Sequence, residues 1–439
     1  MSSSGSPVQG AEREANPDFA SCHSAAECAL ECNDFTAALA SADQALLAAQ
    51  SDTSSEALCE VRLIKSAAHR LLGEPASAEP YARAVMEALT TGTALWCAAV
   101  GELALSLAPL GHHEQLAALG EAILGCWTPE PSSALVIASE RVALGLTQRG
   151  LGARAEALYE KIASVPTVGL TPLARARVHK ALATRALLAG DDAEYLAGIA
   201  AAADAFTRAR DLRSAGFTHV AVGIAGANFG DFAAAERAFR EALGLARQIN
   251  LPTLAAAALQ NLAPVLAKRG EIAEALTSVR EALAISTLQG NNRMICASRF
   301  YLAMVLTTAG DFDAAEREAA IVVEELEPAP PVLAIALGIL ADVHLAQHRP
   351  TDALRHASRA VALLAEIDVE VGDARIRLIH AEALHATGAL EAARSAIAEA
   401  RTRLLARAAR IGDPALRAGF LERVPENART LATAVSWGA

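Results

Sequence analysis

The chain has 439 residues, 53% of them hydrophobic but only 4% aromatic, and 38 basic against 50 acidic side chains leave a net charge of −12. So large an apolar fraction excludes a disordered chain, and the acidic balance argues against a nucleic-acid partner, because that affinity rests on cations neutralising phosphates. Much of the apolar content is alanine, as in Ala200 to Ala203 and Ala255 to Ala258; such a composition favours closely packed helices over β-sandwiches, which need β-branched and aromatic residues.

Residues 1–18, rich in Ser, Gly, Pro and Asn, are expected to form a disordered N-terminal segment. Met1 to Pro7 lacks the basic start and apolar stretch of a signal peptide. No uninterrupted apolar run reaches the roughly 20 residues that span a bilayer, so no membrane partner is expected. Seven thinly spread cysteines fit reduced thiols better than a disulfide framework. Together these features point to a cytoplasmic protein.

From residue 19 to residue 412 one phrase recurs. A Gly or Asn is followed by an acidic residue, an aromatic or apolar residue, two variable positions and a small residue that opens an amphipathic run. The clearest copies are Asn33-Asp34-Phe35 with Ala38, Gly230-Asp231-Phe232 with Ala235, Gly270-Glu271-Ile272 with Ala275 and Gly310-Asp311-Phe312 with Ala315. Weaker copies begin at Gly73, Gly111, Gly152, Gly190, His348 and Gly388, giving intervals of 40, 38, 41, 38, 40, 40, 40, 38 and 40 residues. Each unit reads as a helix closed by the Gly, whose left-handed conformation ends it. A carboxylate at the next helix start then complements the free N–H groups. A second helix follows, for example Phe232 to Ile249 with Ala235, Phe239, Ala242 and Ala246 on one face. Such a hairpin cannot bury its apolar faces alone and must stack on its neighbours. The small residue five positions after the Gly is Ala at 38, 78, 157, 235, 275, 315, 353 and 393, with Leu116 and Tyr195 as exceptions; a methyl there lets helices approach closely.

The Gly-Asp-Phe-x-x-Ala phrase resembles the tetratricopeptide repeat, with a period near 40 in place of 34 and without the large residue usual in the middle of the first helix, where Gln260 and Arg299 lie. The longer unit is similar to helical-repeat regions of large bacterial signalling ATPases, regulators and kinases. The resemblance implies an all-α solenoid of about ten hairpins, coiled as a right-handed superhelix. The tail, Ile411 to Arg429, resembles the segment that closes such regions in some bacterial kinases. Residues 413–439 are accordingly expected to cap the stack: Pro414 starts a helical segment, Pro425 interrupts it, and Trp437 anchors the end.

Little in the sequence carries chemistry. None of the four lysines, Lys65, Lys161, Lys180 and Lys268, sits in a phosphate-binding loop, and the glycines from Gly216 to Gly230 follow no strand and read as helix-packing positions. Cys22, His23, Cys28 and Cys32 offer soft ligands within eleven residues but lack a second ligand pair. His344 and His348 lack a carboxylate in phase. His380, Glu382 and His385 resemble a broken metalloprotease motif, but two histidines five apart diverge by about 140° on a helix. No cofactor and no catalytic residue is predicted, and a metal-dependent enzyme or redox sensor is the weakest alternative.

What the resemblance implies instead is a groove lined by first-helix residues that binds a protein or peptide partner. The positions are Phe217, Val220, Ile224 and Asn228; Gln260 and Lys268, with Pro264 between them either kinking its helix and widening the groove or merely tolerated at a wide inter-helix gap; Phe300, Met304 and Thr308; Asp342; and Arg375, Glu382 and His385. An apolar middle and a charged C-terminal end suit an amphipathic helix or extended peptide. The reading is a non-enzymatic scaffold in bacterial signalling or assembly, with a ligand-responsive sensor that switches a partner as the alternative.

Overall fold

A computed structural model describes residues 18–324, 330–367 and 373–439, and among them there are helices and turns but no strand. Of the N-terminal segment expected to be disordered, only Asp18 is described: its carboxylate caps the first helix, and residues 1–17 lie outside the described residues. The chain divides into two compact units, Met1–Leu158 and Tyr159–Ala439.

The first unit is built from α1 (Phe19–Glu31) and α2 (Phe35–Ala48), α3 (Ser55–Leu71) and α4 (Pro75–Ala88), α5 (Ala94–Leu110) and α6 (His113–Gly125), then α7 (Ser133–Gln148) and the start of α8 (Gly152–Ala163). The second continues with α9 (Pro172–Ala189) and α10 (Asp192–Arg208), α11 (Leu212–Asn228) and α12 (Phe232–Gln248), and α13 (Pro252–Lys268) and α14 (Ile272–Leu288). It goes on through α15 (Asn292–Ala309) and α16 (Phe312–Glu324), α17 (Pro330–Ala346) and α18 (Pro350–Ile367), and α19 (Asp373–Ala386) and α20 (Leu390–Arg410). After α20 come α21 (Pro414–Ala418), a π-helical turn (Gly419–Arg423) and α22 (Pro425–Trp437). Ten consecutive hairpins thus precede a C-terminal segment of different build.

One backbone feature recurs at every hairpin turn. Asn33, Gly73, Gly111, Gly150, Gly190, Gly230, Gly270, Gly310, His348 and Gly388 all adopt positive φ, between 59° and 86°. This left-handed residue reverses the chain and lets its N–H and the next one bond back to the helix it closes; at Gly230, Asp231 N–H donates to the Gly226 carbonyl at 2.9 Å. The fourth turn corrects the sequence reading: the left-handed residue is Gly150, and Gly152 already begins α8. With that shift the spacing on either side becomes 39 and 40 residues. The small residue in register is then Ala155, fully buried, whereas Ala157 is exposed. Ala38, Ala78, Ala235, Ala275, Ala315, Ala353 and Ala393 are likewise wholly buried, and Leu116 fills the same place in the third hairpin.

The acidic residue after the turn acts as a cap when its side chain is short. Asp34, Asp191, Asp231 and Asp311 each accept from the backbone N–H three residues on, at 3.0 to 3.2 Å, whereas Glu74 and Glu271 make no such bond. In the second unit the turns between hairpins repeat the device, with Arg210, Asn250 and Gly290 also at positive φ. Elsewhere in the helices glycine sets spacing: a methyl on Gly223 would lie 2.5 Å from the buried Phe239 ring, and one on Gly216 would lie 2.2 Å from Leu254.

The first unit holds one buried charge cluster. Glu102 of α5 accepts from Arg70 of α3 at 2.8 Å and Arg141 of α7 at 2.6 Å, tying three first helices together. Burial alone would raise this carboxyl, but the two guanidinium groups outweigh it and hold it at about 2. A carboxyl depressed in the folded state contributes stability above its ordinary value and loses it as pH falls toward the folded value. Glu102→Gln should therefore cost the first unit about 3 kcal/mol at neutral pH, with the difference from wild type shrinking below about pH 4 in denaturant titrations. In the second unit, Gly223→Ala should cost about 1–3 kcal/mol by overpacking Phe239, read as a lower thermal midpoint.

Candidate functional site

In the second unit the first helices of successive hairpins, α11, α13, α15, α17 and α19, enclose a cavity of about 340 Å³. Its sides are Ile224 and Asn228 of α11, Asn261, Pro264 and Lys268 of α13, Phe300, Tyr301 and Met304 of α15, Ile335 of α17 and Arg375 of α19. The helical hairpin explains why these residues face inward. Second helices spend their alanine face on packing against both neighbours, so most of the lining comes from first helices, with Phe232 and Phe239 of α12 adding to it. α13 runs uninterrupted through Pro264, whose ring lies on the cavity wall.

The remaining wall is the C-terminal segment: Phe420, Val424, Glu426 and Asn427 complete the lining, with Arg407 of α20 beside them. The segment crosses the inner face through a chain of specific contacts. Phe420 is buried with Phe229, Leu404, Ala408 and Ile411, its ring 6.5 Å from that of Phe229. Two glycines make this approach possible. A methyl on Gly230 would sit 2.6 Å from Arg423, and one on Gly419 would meet the Phe229 carbonyl oxygen at 2.4 Å. The π-helical turn places Asn427 so that its buried side-chain amide donates to the Phe420 carbonyl at 2.9 Å.

Helix α22 then meets the inner face at three side chains. Lys268 Nζ lies 3.2 Å from both carboxylate oxygens of Glu426 and 5.4 Å above the Phe232 ring. Glu382 accepts from Arg429 Nε at 2.7 Å. His385 stacks on Trp437 with ring centroids 4.4 Å apart and planes 11° from parallel. Burial alone would raise the Glu426 carboxyl, but the Lys268 charge, its hydrogen bonds and Arg375 outweigh it and keep the group below its ordinary value. Glu382 is pushed the other way, by burial first and by Asp342, against the pull of Arg429. Ala434 packs into the apolar cluster of Leu378, Ala381, Ile397 and Ala400, so the same helix covers the last hairpin.

The groove residues proposed from sequence therefore divide. Ile224, Asn228, Lys268, Phe300, Met304 and Arg375 line the cavity. Glu382 and His385 lie on the same inner face but are engaged by α22. Asp342 pairs with Arg375 at 2.5 Å. Val220 and Gln260 lie outside the cavity lining. Val220 is buried, and Gln260 is spent between helices, its Oε1 accepting from Ser298 at 3.4 Å and its amide meeting Met294 sulfur at 3.8 Å. Gln260 is thus turned toward α15 of the next hairpin. Phe217 is exposed outside the cavity lining, and Thr308 is exposed with its hydroxyl donating to the Met304 carbonyl at 3.0 Å. Sequence reading missed Tyr301 and Asn261. The buried Tyr301 hydroxyl donates to Asn261 Oδ1 at 3.4 Å, and burial pushes the phenol up to about 12. Their signal was the i, i+3 spacing of Asn261 to Pro264 and of Tyr301 to Met304.

The other clusters do not converge. Cys22 faces the first hairpin's core, whereas Cys28 and Cys32 are exposed; His23 lies 3.6 Å from Glu27 and 3.9 Å from Glu60. His344 is buried against Glu316 at 3.1 Å, while His348 forms a hairpin turn. His380 is half-buried, and burial, then Arg377, lowers it. Among the described residues no three His, Cys, Asp or Glu side chains are placed to hold a metal, and no helix is long and apolar enough to cross a membrane.

The arrangement of hairpins can be compared with solved structures. It superimposes on a Rap protein complexed with competence and sporulation factor, with a TM-score of 0.53 and 15% identity over 88% of this chain and 98% of that one. The fold is a tetratricopeptide-repeat-like solenoid. The apo form of RapI gives a TM-score of 0.52 at 13% identity over 78% of this chain and 97% of that one. A signal-transduction ATPase with a tetratricopeptide repeat sensor from Pyrococcus horikoshii gives 0.52 at 14% identity, covering 80% of this solenoid and 53% of the ATPase. No protein-family model and no curated protein matches the sequence.

Phe420 is the apolar anchor of the C-terminal segment, so Phe420→Ala should cost about 3 kcal/mol. The loss should appear in the unfolding of the second unit, as a lower denaturant midpoint followed by Trp437 emission in a Trp96→Phe, Trp127→Phe background.

Proposed function

We propose that this solenoid is a non-enzymatic binding protein whose inner face in the second unit receives a protein or peptide segment, in a signalling or assembly role. One observation carries the reading: that face already holds a polypeptide, the chain's own residues 419–437, by an aromatic anchor, two ion pairs and a ring stack. The chemistry suits peptide recognition. Ile224, Phe300 and Met304 supply apolar contact, while the Asn228 and Asn261 amides offer donors and acceptors that match a peptide backbone. Supporting this, a Rap protein of similar fold is described in complex with competence and sporulation factor. The tetratricopeptide repeat sensor named in the similar ATPase favours the second reading, a solenoid whose occupancy switches a partner.

The test is selection of binders from a random linear peptide library against the full chain, followed by fluorescence anisotropy on wild type and on a Met304→Glu variant. Expected is a family of peptides sharing an apolar anchor, with affinity reduced at least 10-fold in the variant, a loss of about 1.4 kcal/mol. Undiminished binding to Met304→Glu would place the site elsewhere, and recovery of no peptide would oppose the reading.

A further inference from the structure

The C-terminal segment does more than cover the last hairpin. A cap needs contacts with α19 and α20, and Ala434 with Trp437 supplies them. Yet the segment also reaches Lys268 of α13, which precedes Glu426 by 158 residues, and Phe229 at the α11 to α12 turn. Those contacts lie on the inner faces of other hairpins, on the surface assigned above to a partner.

We propose that residues 419–437 are a competing, cis-acting occupant of the partner site, and that the partner is an amphipathic helix carrying the same chemistry. The inference rests on the peptide-binding reading. Glu426, Arg429 and Trp437 fall on one side of α22, and their counterparts on the solenoid are a lysine, a glutamate and a histidine ring. The partner helix therefore presents a carboxylate, a cation about one turn later and an aromatic about two turns beyond, preceded by an apolar residue in the place of Phe420. The polar contacts are of a kind that exchanges readily. The Lys268 and Glu426 side chains are 25% and 27% exposed, and Arg429 is 62% exposed. Solvent screening weakens such partly open pairs, and of these four side chains only Glu382, 14% exposed, is well buried. The segment holds its place largely because it is tethered, and the high effective concentration of a tethered ligand is what a partner must overcome. A partner of matching chemistry shifts that balance by its differential affinity for the vacated face.

The probe is a labelled peptide of residues 413–439 added to the full chain. A Glu426→Ala, Arg429→Ala, Trp437→Ala variant weakens the tethered segment and leaves every solenoid residue intact. It should bind the peptide at least 10-fold tighter than wild type does. Adding Lys268→Glu and Glu382→Lys to that variant should abolish the gain, and a peptide carrying Glu426→Lys and Arg429→Glu should restore it. A variant with wild-type helicity that binds no better than wild type overturns the proposal. So does dimer formation by the variant with the peptide inert, which assigns the face to a second copy's tail. Where the variant fails to fold, hydrogen exchange on wild type decides: amides of 425–437 should exchange at least 10-fold faster than those of α20 through local opening, and equal protection overturns the idea. Peptides selected from the random library are run alongside. Equal binding to wild type and variant removes the competition and keeps the peptide-binding role, whereas binding to neither removes that role itself.

Discussion

The molecule depends on a left-handed residue repeated about every 40 positions. With φ between 59° and 86° at Asn33, Gly73, Gly111, Gly150, Gly190, Gly230, Gly270, Gly310, His348 and Gly388, each hairpin reverses in the same way. In eight of the ten an alanine five residues later then lands at the same close contact, with Leu116 and Tyr195 at the other two. Because that contact is a methyl and not a larger side chain, neighbouring helices approach without aromatic filling. The 4% aromatic content thus follows from the repeat, and apolar burial is distributed over many small interfaces between adjacent hairpins.

Regular hairpins have a consequence for chemistry. Second helices such as α12 bury Ala235, Ala242 and Ala246 in packing, so most of the side chains left to face inward belong to the first helices, with Phe232 and Phe239 of α12 beside them. In the second unit those residues enclose a cavity whose final wall comes from the non-repeating C-terminal segment. Glycine at two facing positions, Gly230 and Gly419, lets backbones meet where the segment enters. Gly230 therefore has two duties: its left-handed φ closes a hairpin, and its missing side chain admits the segment that crosses the inner face.

The charged residues follow the same division between repeat and exception. Glu102 with Arg70 and Arg141 joins successive first helices of one unit, each oxygen of its carboxylate paired with one guanidinium. Lys268 with Glu426 and Glu382 with Arg429 join repeat to tail at sites still open to solvent. The two arrangements use the same ion pairs in different dielectric surroundings, and only the first is buried deeply enough for breaking it to be severe.

The period, the hairpins, the capping aspartates and the alanine contacts were all legible in the sequence, because each depends on backbone conformation and side-chain size within a few residues. The one slip, Gly152 for Gly150, arose where two glycines stand two apart and only φ distinguishes the turn from the helix start. Inner-face positions were legible only in part. Ile224, Asn228, Lys268, Phe300, Met304 and Arg375 reach the cavity, while Val220 is buried outside it and Gln260 turns into the neighbouring hairpin. Which face of a first helix turns inward depends on the rotation between stacked hairpins, and no local pattern encodes that angle. The path of residues 419–437 was beyond sequence altogether. Lys268 and Glu426 are 158 residues apart, and only the stacking of the hairpins between them brings the two charges together.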